Sequence, residues 1–272
     1  MPEEKICVIG MGEIGTAIYE DIAKPVPNNV RQGTAELVPL VRKKIIGVDV
    51  SEQRINELRQ KGYNVSTEIT QSDLYIIAVY TTDQVIDVLN KISPANKPLV
   101  SIESTIHPAR IKEIKQIAAQ KGFDMVVFPH RFNPNDAEHR VFNLKRILGA
   151  DDEQSKKRAL QFYTQFMPAE LITSVSMQIA ALSKILENTH RFVEIAVAQS
   201  YKESCDKLGV DFETLQKAAN TKWNINVKEA RDGIKGKCLP KDVEMLAEFF
   251  DNELLKQLIQ LNKEYCRKHT KV

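Results

Sequence analysis

Short apolar runs alternate with longer segments of helical spacing along the first 175 residues. The runs are rich in β-branched side chains, which is typical of strands buried on both faces of a parallel sheet. Between most of them, apolar residues recur at the spacing of an amphipathic helix. This alternation predicts an α/β fold in which a doubly wound parallel sheet carries helices on both faces. The predicted strands are residues 5–9, 44–49, 74–79, 98–103, 125–128, 146–149 and 169–173.

The pattern changes after residue 173, where helical spacing takes over. Residues 177–205 contain neither proline nor glycine, and they predict a helix of roughly 40 Å at about 1.5 Å rise per residue. Further helices are predicted at 212–220, 241–250 and 253–265. A chain of 272 residues has room for two domains. We therefore expect an α/β domain at residues 1–175 and an all-helical domain with a long central helix at 176–272.

The six residues after the first predicted strand read G-M-G-E-I-G and lead into a helix. In this G-x-G-x-x-G pattern, Gly10 permits a tight turn, Gly12 lets the backbone approach a pyrophosphate, and Gly15 allows close packing of helix on strand. The helix N-terminus adds N–H groups and a dipole that favour phosphate. The pattern therefore predicts a Rossmann domain that binds NAD. The other residues of the predicted turn are Met11, Glu13 and Ile14.

Asp49 ends the second predicted strand and is the expected ribose-binding carboxylate. It lies farther from the glycines than the usual ~20 residues, because residues 24–39 form a predicted loop with several prolines and asparagines. A carboxylate there accepts hydrogen bonds from the ribose hydroxyls and repels a 2′-phosphate, so NAD is favoured over NADP. Two plainer interpretations stay open. Asp49 caps the next helix, or the glycines form a structural turn in another doubly wound fold.

Charge and cysteine content narrow the functional class. The chain has 38 basic and 36 acidic side chains, and this balance predicts neither a nucleic-acid-binding face nor a membrane surface. No apolar run is long enough to span a bilayer, and the start of the chain does not resemble a signal peptide. The four cysteines are far apart, so we expect no disulfide framework, no metal site and a reducing, cytoplasmic location.

Four further motifs accompany the glycine turn. They are A-V-Y-T-T from Ala78 to Thr82, Ser104-Thr105, Lys184-x-x-x-Asn188-x-x-Arg191, and G-K-C-L-P-K-D from Gly236 to Asp242. Together they resemble the UDP-glucose/GDP-mannose dehydrogenase family over almost the whole chain, as far as about Tyr265. Members of that family oxidise the C6 alcohol of a nucleotide sugar to a carboxylate, using two NAD.

The resemblance implies a site with both catalytic and cofactor-binding residues. It implies that Cys238 is a nucleophile, that Lys184 and Asn188 stabilise an oxyanion, and that Asp242 orders a water molecule. Thr105 would contact that water or the nicotinamide. The helical domain would be of the 6-phosphogluconate dehydrogenase type. The remaining implied cofactor contacts are Val79, Tyr80, Thr81 and Ser104.

The residue types suit this chemistry. Oxidation of an aldehyde by hydride transfer needs a tetrahedral adduct, which a thiolate forms readily. Cys238 lies at a predicted helix start among lysines, and such surroundings favour a thiolate. Lys184 and Asn188 are four residues apart and share one helix face. The plainer alternatives are a buried packing cysteine and a solvated lysine and asparagine. Cys7, Cys205 and Cys266 are expected to be packing residues.

The sequence departs from the family pattern in three places. Family members continue into a third domain that binds the nucleotide, and this chain ends at Val272, which predicts a truncated form. The family's Pro-Glu segment is Pro129-His130 here. His130 is either a general base, since an unperturbed imidazole titrates near a pKa of about 6.5, or a structural histidine. Lysines occupy part of the glycine-rich run before the cysteine, at Lys235 and Lys237.

Three functions follow as alternatives. The first is a dehydrogenase that acts through Cys238 on a sugar, a sugar nucleotide or a related small alcohol. The second is a two-electron enzyme resembling β-hydroxyacid dehydrogenases, with Lys184 as acid and base. The third is an NAD-binding subunit without catalysis. Apolar residues on more than one face of 177–205 also predict a homodimer packed through this helix.

Overall fold

The computed structural model describes residues 3–24, 42–133, 136 and 138–269. Most of the predicted loop at 24–39 lies outside these residues. The described strands form one sheet of order β3-β2-β1-β4-β5-β6-β7-β8. The strands are β1 Glu3–Ile9, β2 Arg42–Val48, β3 Val65–Ser66, β4 Leu74–Ile77, β5 Leu99–Ile102, β6 Asp124–Val127, β7 Arg146–Gly149 and β8 Ile172–Val175.

Helices cover both faces of this sheet, which confirms the predicted doubly wound α/β fold. Successive residues of each strand point to opposite faces and enter two separate apolar cores. The helices are α1 Glu13–Ala23, α2 Glu52–Gln60, α3 Thr82–Lys91, α4 Ile111–Lys121, α5 Glu153–Tyr163 and α6 Met177–Leu208. One core holds Cys7 and Ile9 with side chains of α3, α4 and the start of α6. The other holds Ile6 and Val8 with side chains of α1, α2 and α5.

The sheet differs from the predicted arrangement in two respects, an additional short edge strand, β3, and the direction of one strand pair. β7 pairs antiparallel with β6 through Val127 and Gly149, whereas the other neighbouring strands are parallel. A parallel pair needs a long crossover, usually a helix. Between β6 and β7, the described residues contain turns and bends but no helix. The alternation pattern missed this reversal because it carries no information on strand direction.

The strand order changes direction between β1 and β4. The chain adds β2 and β3 on one side of β1, and it then returns to add β4 to β8 on the other side. Ligands of open α/β sheets bind beyond the carboxyl ends of the strands at such a switch point. The residues that follow β1 and β4 are Gly10 and Ala78, at the starts of the predicted glycine turn and of the A-V-Y-T-T segment.

The chain divides into an N-terminal unit, Met1–Lys184, and a C-terminal unit, Ile185–Val272. The division falls inside α6, a helix of 32 residues. The C-terminal unit contains α7 Phe212–Ala219, α8 Cys238–Phe249 and α9 Glu253–His269. Its described elements are helical, and α8 begins three residues before the predicted helix. Within the described part of the chain, no helix has the length and apolar character needed to cross a membrane.

Candidate functional site

Two glycines of the turn are required by close packing. Gly10 has φ +92°, and its N–H donates to the Val48 carbonyl at 2.8 Å. A Cβ atom at Gly10 would lie 2.5 Å from the Ala78 carbonyl oxygen, and one at Gly15 would lie 1.9 Å from the Gly10 carbonyl oxygen. Any side chain at either position therefore forces the strand ends and α1 apart.

Gly12 is different, because the space beside it is open. A Cβ atom there would have no neighbour within 4 Å, and its φ of −71° suits any residue. Gly12 is the N-cap of α1 and makes no side-chain cap hydrogen bond. The first N–H groups of a helix have no acceptor within the helix, and with the open space beside Gly12 the start of α1 fits the pyrophosphate of a dinucleotide.

Asp49 holds the glycine turn from the neighbouring strand. Its Oδ2 accepts the Met11 N–H at 2.9 Å, and its Oδ1 accepts the Ser51 N–H at 2.9 Å. The N-cap of α2 is Ser51, whose Oγ accepts the Arg54 N–H, so Asp49 is not the helix cap. The half-buried carboxylate keeps lone pairs for ribose hydroxyls, which fits the predicted role.

Arg54 is a neighbour of this turn that the sequence analysis did not identify. Its Nε donates to the Met11 carbonyl at 2.8 Å, and one of its terminal nitrogens donates to Thr16 Oγ1 at 3.1 Å. Asp49 and Arg54 therefore fix the Met11 backbone, one through its N–H and the other through its carbonyl. A basic residue in the first turn of α2 gave no specific signal, because such residues usually face solvent.

The ends of β4 and β5 are joined beside the glycine turn. Ser104 Oγ accepts the Val79 N–H at 2.9 Å and donates to the Ile77 carbonyl at 3.2 Å. Thr81 is the N-cap of α3 and forms a capping box with Gln84. Of the other predicted cofactor contacts, Tyr80 is exposed and Thr105 is half-buried.

A buried ionic cluster surrounds Glu103, the residue that precedes Ser104. Arg146 is fully buried and donates to Glu103 Oε2 at 2.6 Å. The Tyr163 hydroxyl donates to Glu103 Oε1 at 2.8 Å and lies 2.6 Å from Ser101 Oγ. The guanidinium also lies over the Phe128 ring, 3.7 Å from its centroid. Buried charges need such partners, so this cluster anchors the carboxyl end of β5.

His130 borders this cluster. The imidazole is buried, its Nδ1 accepts the Phe132 N–H at 3.2 Å, and its Nε2 lies 3.3 Å from Glu103 Oε2. Burial first, and then the charges of Arg146 and Lys184, hold the pKa of His130 well below its usual value of 6.5. His130 is therefore neutral near pH 7, with its proton on Nε2 because Nδ1 is an acceptor.

The C-terminal unit contains the predicted cysteine motif. Cys238 is the first residue of α8 and is the one exposed cysteine among the four. One turn later, Asp242 is buried, and its Oδ2 accepts a hydrogen bond from Asn188 Nδ2 at 2.6 Å. Cys7 and Cys205 are buried, and burial raises the pKa of the Cys7 thiol to about 12.

Within each unit, the structure brings predicted residues together. In the N-terminal unit the glycine turn contacts Asp49 and Val79, and the charge of Lys184 acts on His130. In the C-terminal unit Asn188 binds Asp242. The described residues contain no group of three or more His, Cys, Asp or Glu side chains arranged to hold a metal ion.

Comparison with known proteins identifies both parts of the chain. Residues 60–167 match the NAD binding domain of the UDP-glucose/GDP-mannose dehydrogenase family. Residues 178–264 match the central domain of the same family. One curated relative, a UDP-N-acetyl-D-mannosamine dehydrogenase of Methanococcus vannielii, is 28% identical over 92% of this chain. The chain spans 62% of that relative's length.

Solved structures share the fold at lower identity. The UDP-D-ManNAc dehydrogenase of Pyrococcus horikoshii superposes with a TM-score of 0.77 at 22% identity, over 96% of this chain and 68% of that one. The 3-hydroxyisobutyrate dehydrogenase of Mycobacterium tuberculosis gives a TM-score of 0.72 at 15% identity, over 98% of this chain and 95% of that one. With both domain matches in order along one polypeptide, the chain belongs to the UDP-glucose/GDP-mannose dehydrogenase family and carries its NAD-binding domain.

Proposed function

We propose that this chain is an NAD-dependent dehydrogenase that oxidises a hydroxyl group of a nucleotide sugar or a related sugar, with Cys238 as nucleophile. The observation that carries this proposal is the setting of Cys238. It is exposed at the first position of α8, one turn before the buried Asp242–Asn188 pair. The named activity of the Methanococcus vannielii relative, a UDP-sugar dehydrogenase, supports the substrate class.

The residues of the glycine turn suit the cofactor that this function needs. Gly12 and the first N–H groups of α1 would hold the pyrophosphate, and Asp49 would bind the adenosine ribose. Val79, Tyr80, Thr81, Ser104 and Thr105 would border the remainder of the dinucleotide. When bound, NAD supplies the hydride acceptor for each of two oxidations.

The side chains of the site would then act on the sugar. Lys184 would stabilise the alkoxide and oxyanion as a point charge, and Asn188 would donate a hydrogen bond to the same oxygen. The Cys238 sulfur would add to the aldehyde, and oxidation of this thiohemiacetal leaves a thioester. Water ordered by Asp242 would cleave the thioester to a carboxylate and restore the thiol. His130, which is neutral, would be a structural histidine beside Glu103 at the end of β5.

Turnover with UDP-sugars tests this proposal. We expect NADH to form when the chain is mixed with NAD and a panel of UDP-hexoses and UDP-N-acetylhexosamines, and the sugar product to gain a carboxylate by mass spectrometry. The matched variant is Gly12→Ala. Its methyl group would fill the space needed by pyrophosphate, so we expect NAD affinity to fall about tenfold or more, which corresponds to about 1.4 kcal/mol.

The same substitution leaves the fold intact. Because φ at Gly12 lies outside the region reserved for glycine and the added methyl meets no protein atom, the lower entropy of the unfolded chain should raise the free energy of unfolding by about 0.4–1 kcal/mol. Alanine is a poorer N-cap than glycine, which offsets this gain, so the free energy of unfolding should change by less than about 1 kcal/mol. Equal NAD affinity in Gly12→Ala would argue against pyrophosphate at this turn. NAD binding without NADH formation on any UDP-sugar would favour a subunit that binds NAD without catalysis.

We also propose that α6 pairs two copies of this chain. Four large apolar side chains are exposed on one stripe of the helix, where water would otherwise contact them. A two-fold axis would bring the same stripe of each copy together. Light scattering of the wild-type chain at micromolar concentration is expected to give twice the chain mass of 30.9 kDa. The Leu186→Glu variant is expected to give the mass of the monomer. A wild-type monomer contradicts the proposal. The stripe contains Ile179, Leu186, Tyr201 and Leu208.

A further inference from the structure

The loop that leads into Cys238 has an irregular backbone. Residues 220–237 contain neither helix nor strand. Three of them have left-handed backbone conformations, with φ of +53° at Arg231, +99° at Gly233 and +101° at Gly236. Regular hydrogen bonding therefore does not fix the position of this loop. Contacts from elsewhere in the C-terminal unit must do so.

Asn262 on α9 supplies such a contact. Its side chain is buried. Its Oδ1 accepts the Ile234 N–H at 2.8 Å, and its Nδ2 donates to the Ile234 carbonyl at 3.2 Å. One carboxamide thus satisfies both backbone polar groups of a single loop residue, as a neighbouring strand would do in a sheet.

A second contact lies one helical turn farther along α9. A Cβ atom at Gly233 would lie 2.3 Å from Cys266 Sγ, so the loop backbone packs directly on this sulfur. Cys266 Sγ lies 3.7 Å from Asn262 Oδ1. Asn262 and Cys266 therefore hold two consecutive loop residues against the same face of α9.

Apolar packing beneath the loop is incomplete. A cavity of about 400 Å³ lies next to Ile234 and is lined in part by Phe192, Val243 and Ile259. A side chain beside a cavity lacks contact atoms on one side. Ile234 is buried, and with packing absent on the side of the cavity the two hydrogen bonds from Asn262 are a direct restraint on its backbone, four residues before Cys238.

We propose that Asn262 is a positioning residue for Cys238: by holding the backbone of Ile234, it sets where α8 starts and where the thiol is presented. The catalytic consequence depends on the proposed function, but the position of the thiol does not. An ordered start of α8 keeps the Cys238 thiol exposed, whereas a loop released from Asn262 lets the thiol leave that position for part of the time.

The test compares Asn262→Leu with Asn252→Ala. Leucine has a similar volume and makes neither hydrogen bond to Ile234. Asn252 caps α9, accepting the Leu255 N–H at 3.1 Å, and its loss destabilises the same helix without touching the loop. We expect iodoacetamide to modify Cys238 at least threefold more slowly in Asn262→Leu, and at the wild-type rate in Asn252→Ala.

Kinetics give the second measurement. In Asn262→Leu we expect kcat to fall about tenfold, with the KM for NAD unchanged within twofold, because the glycine turn belongs to the N-terminal unit. Asn262→Asp retains the acceptor for the Ile234 N–H and should have an intermediate rate of Cys238 modification. This variant keeps the test valid where Asn262→Leu does not fold.

The outcomes separate the two proposals. The role of Asn262 is overturned if Cys238 is modified at the same rate in wild type, Asn262→Asp and Asn262→Leu. It is also overturned if Asn252→Ala slows the modification of Cys238 as much as Asn262→Leu does. Slower modification only in the Asn262 variants upholds it, even if the wild-type chain turns over no UDP-sugar. In that case the proposed function alone fails.

Discussion

Acid formation is expected to fall on the order of 10³-fold or more when Cys238 is replaced by serine. A serine hydroxyl is a far weaker nucleophile than a thiolate and a poorer leaving group in the final hydrolysis. The first oxidation, from alcohol to aldehyde, needs no thiol and should persist. The Cys238→Ser variant should therefore form NADH without carboxylate, and trapping with hydroxylamine followed by mass spectrometry measures the aldehyde.

The control for this experiment is Cys205→Ala. Cys205 is buried among apolar side chains of the C-terminal unit, so removing its thiol should leave turnover unchanged. Full carboxylate formation by Cys238→Ser would eliminate Cys238 as nucleophile. If wild type and Cys238→Ser instead form NADH at the same rate and neither forms a carboxylate, the result would favour an enzyme of the β-hydroxyacid dehydrogenase type. In such an enzyme Lys184 acts alone as general acid and base.

The largest loss of stability is expected for Arg146→Leu. Arg146 is fully buried and makes a 2.6 Å ion pair with Glu103, which is itself buried. Removing one partner of a buried pair leaves the other charge without compensation, which costs about 3–5 kcal/mol. Urea denaturation followed by circular dichroism should show this loss in the free energy of unfolding.

Two further variants show whether the effect comes from the uncompensated charge. Replacing both partners, Glu103→Leu with Arg146→Leu, removes the buried charges together and should recover most of the stability. Arg110→Leu removes a surface arginine whose side chain is 38% exposed and pairs with Asp83 and Glu113, and it should have little effect. If Arg146→Leu were no more destabilising than Arg110→Leu, Glu103 would not depend on this partner.

The N-terminal half was predictable because its signals are local. Strand and helix differ in their spacing of apolar residues, and the glycine pattern requires only six adjacent positions. The tight turn at Gly10 and the close packing at Gly15 agree with the contacts that a Cβ atom would make at each, and the approach of a pyrophosphate to Gly12 stays a prediction. The catalytic roles of Lys184, Asn188 and Asp242 stay predictions, since they concern a reaction that a fold does not reveal.

Features that depend on distant partners were not predictable. Glu103 and Arg146 are 43 residues apart, and each lies at the border of an apolar strand, where a charge usually faces solvent. Asn262 carried a partial signal, because it occupies the buried face of α9 with Leu255, Leu258 and Tyr265. A polar residue on such a face indicates a buried hydrogen bond, but the spacing does not identify Ile234 as its partner.

The two hydrogen bonds that Asp49 and Arg54 make to the Met11 backbone restrict how the cofactor preference of this chain can be re-engineered. Replacing Asp49 with a small residue to admit a 2′-phosphate would also remove the acceptor of the Met11 N–H, while Arg54 would still hold the carbonyl. The Met11 backbone would then keep its hydrogen bond from Arg54 and lose the one to Asp49. A redesign for NADP must therefore provide a new acceptor for the Met11 N–H as well as room for the phosphate. The Asp49→Asn variant keeps an acceptor for this N–H but makes no room for the phosphate.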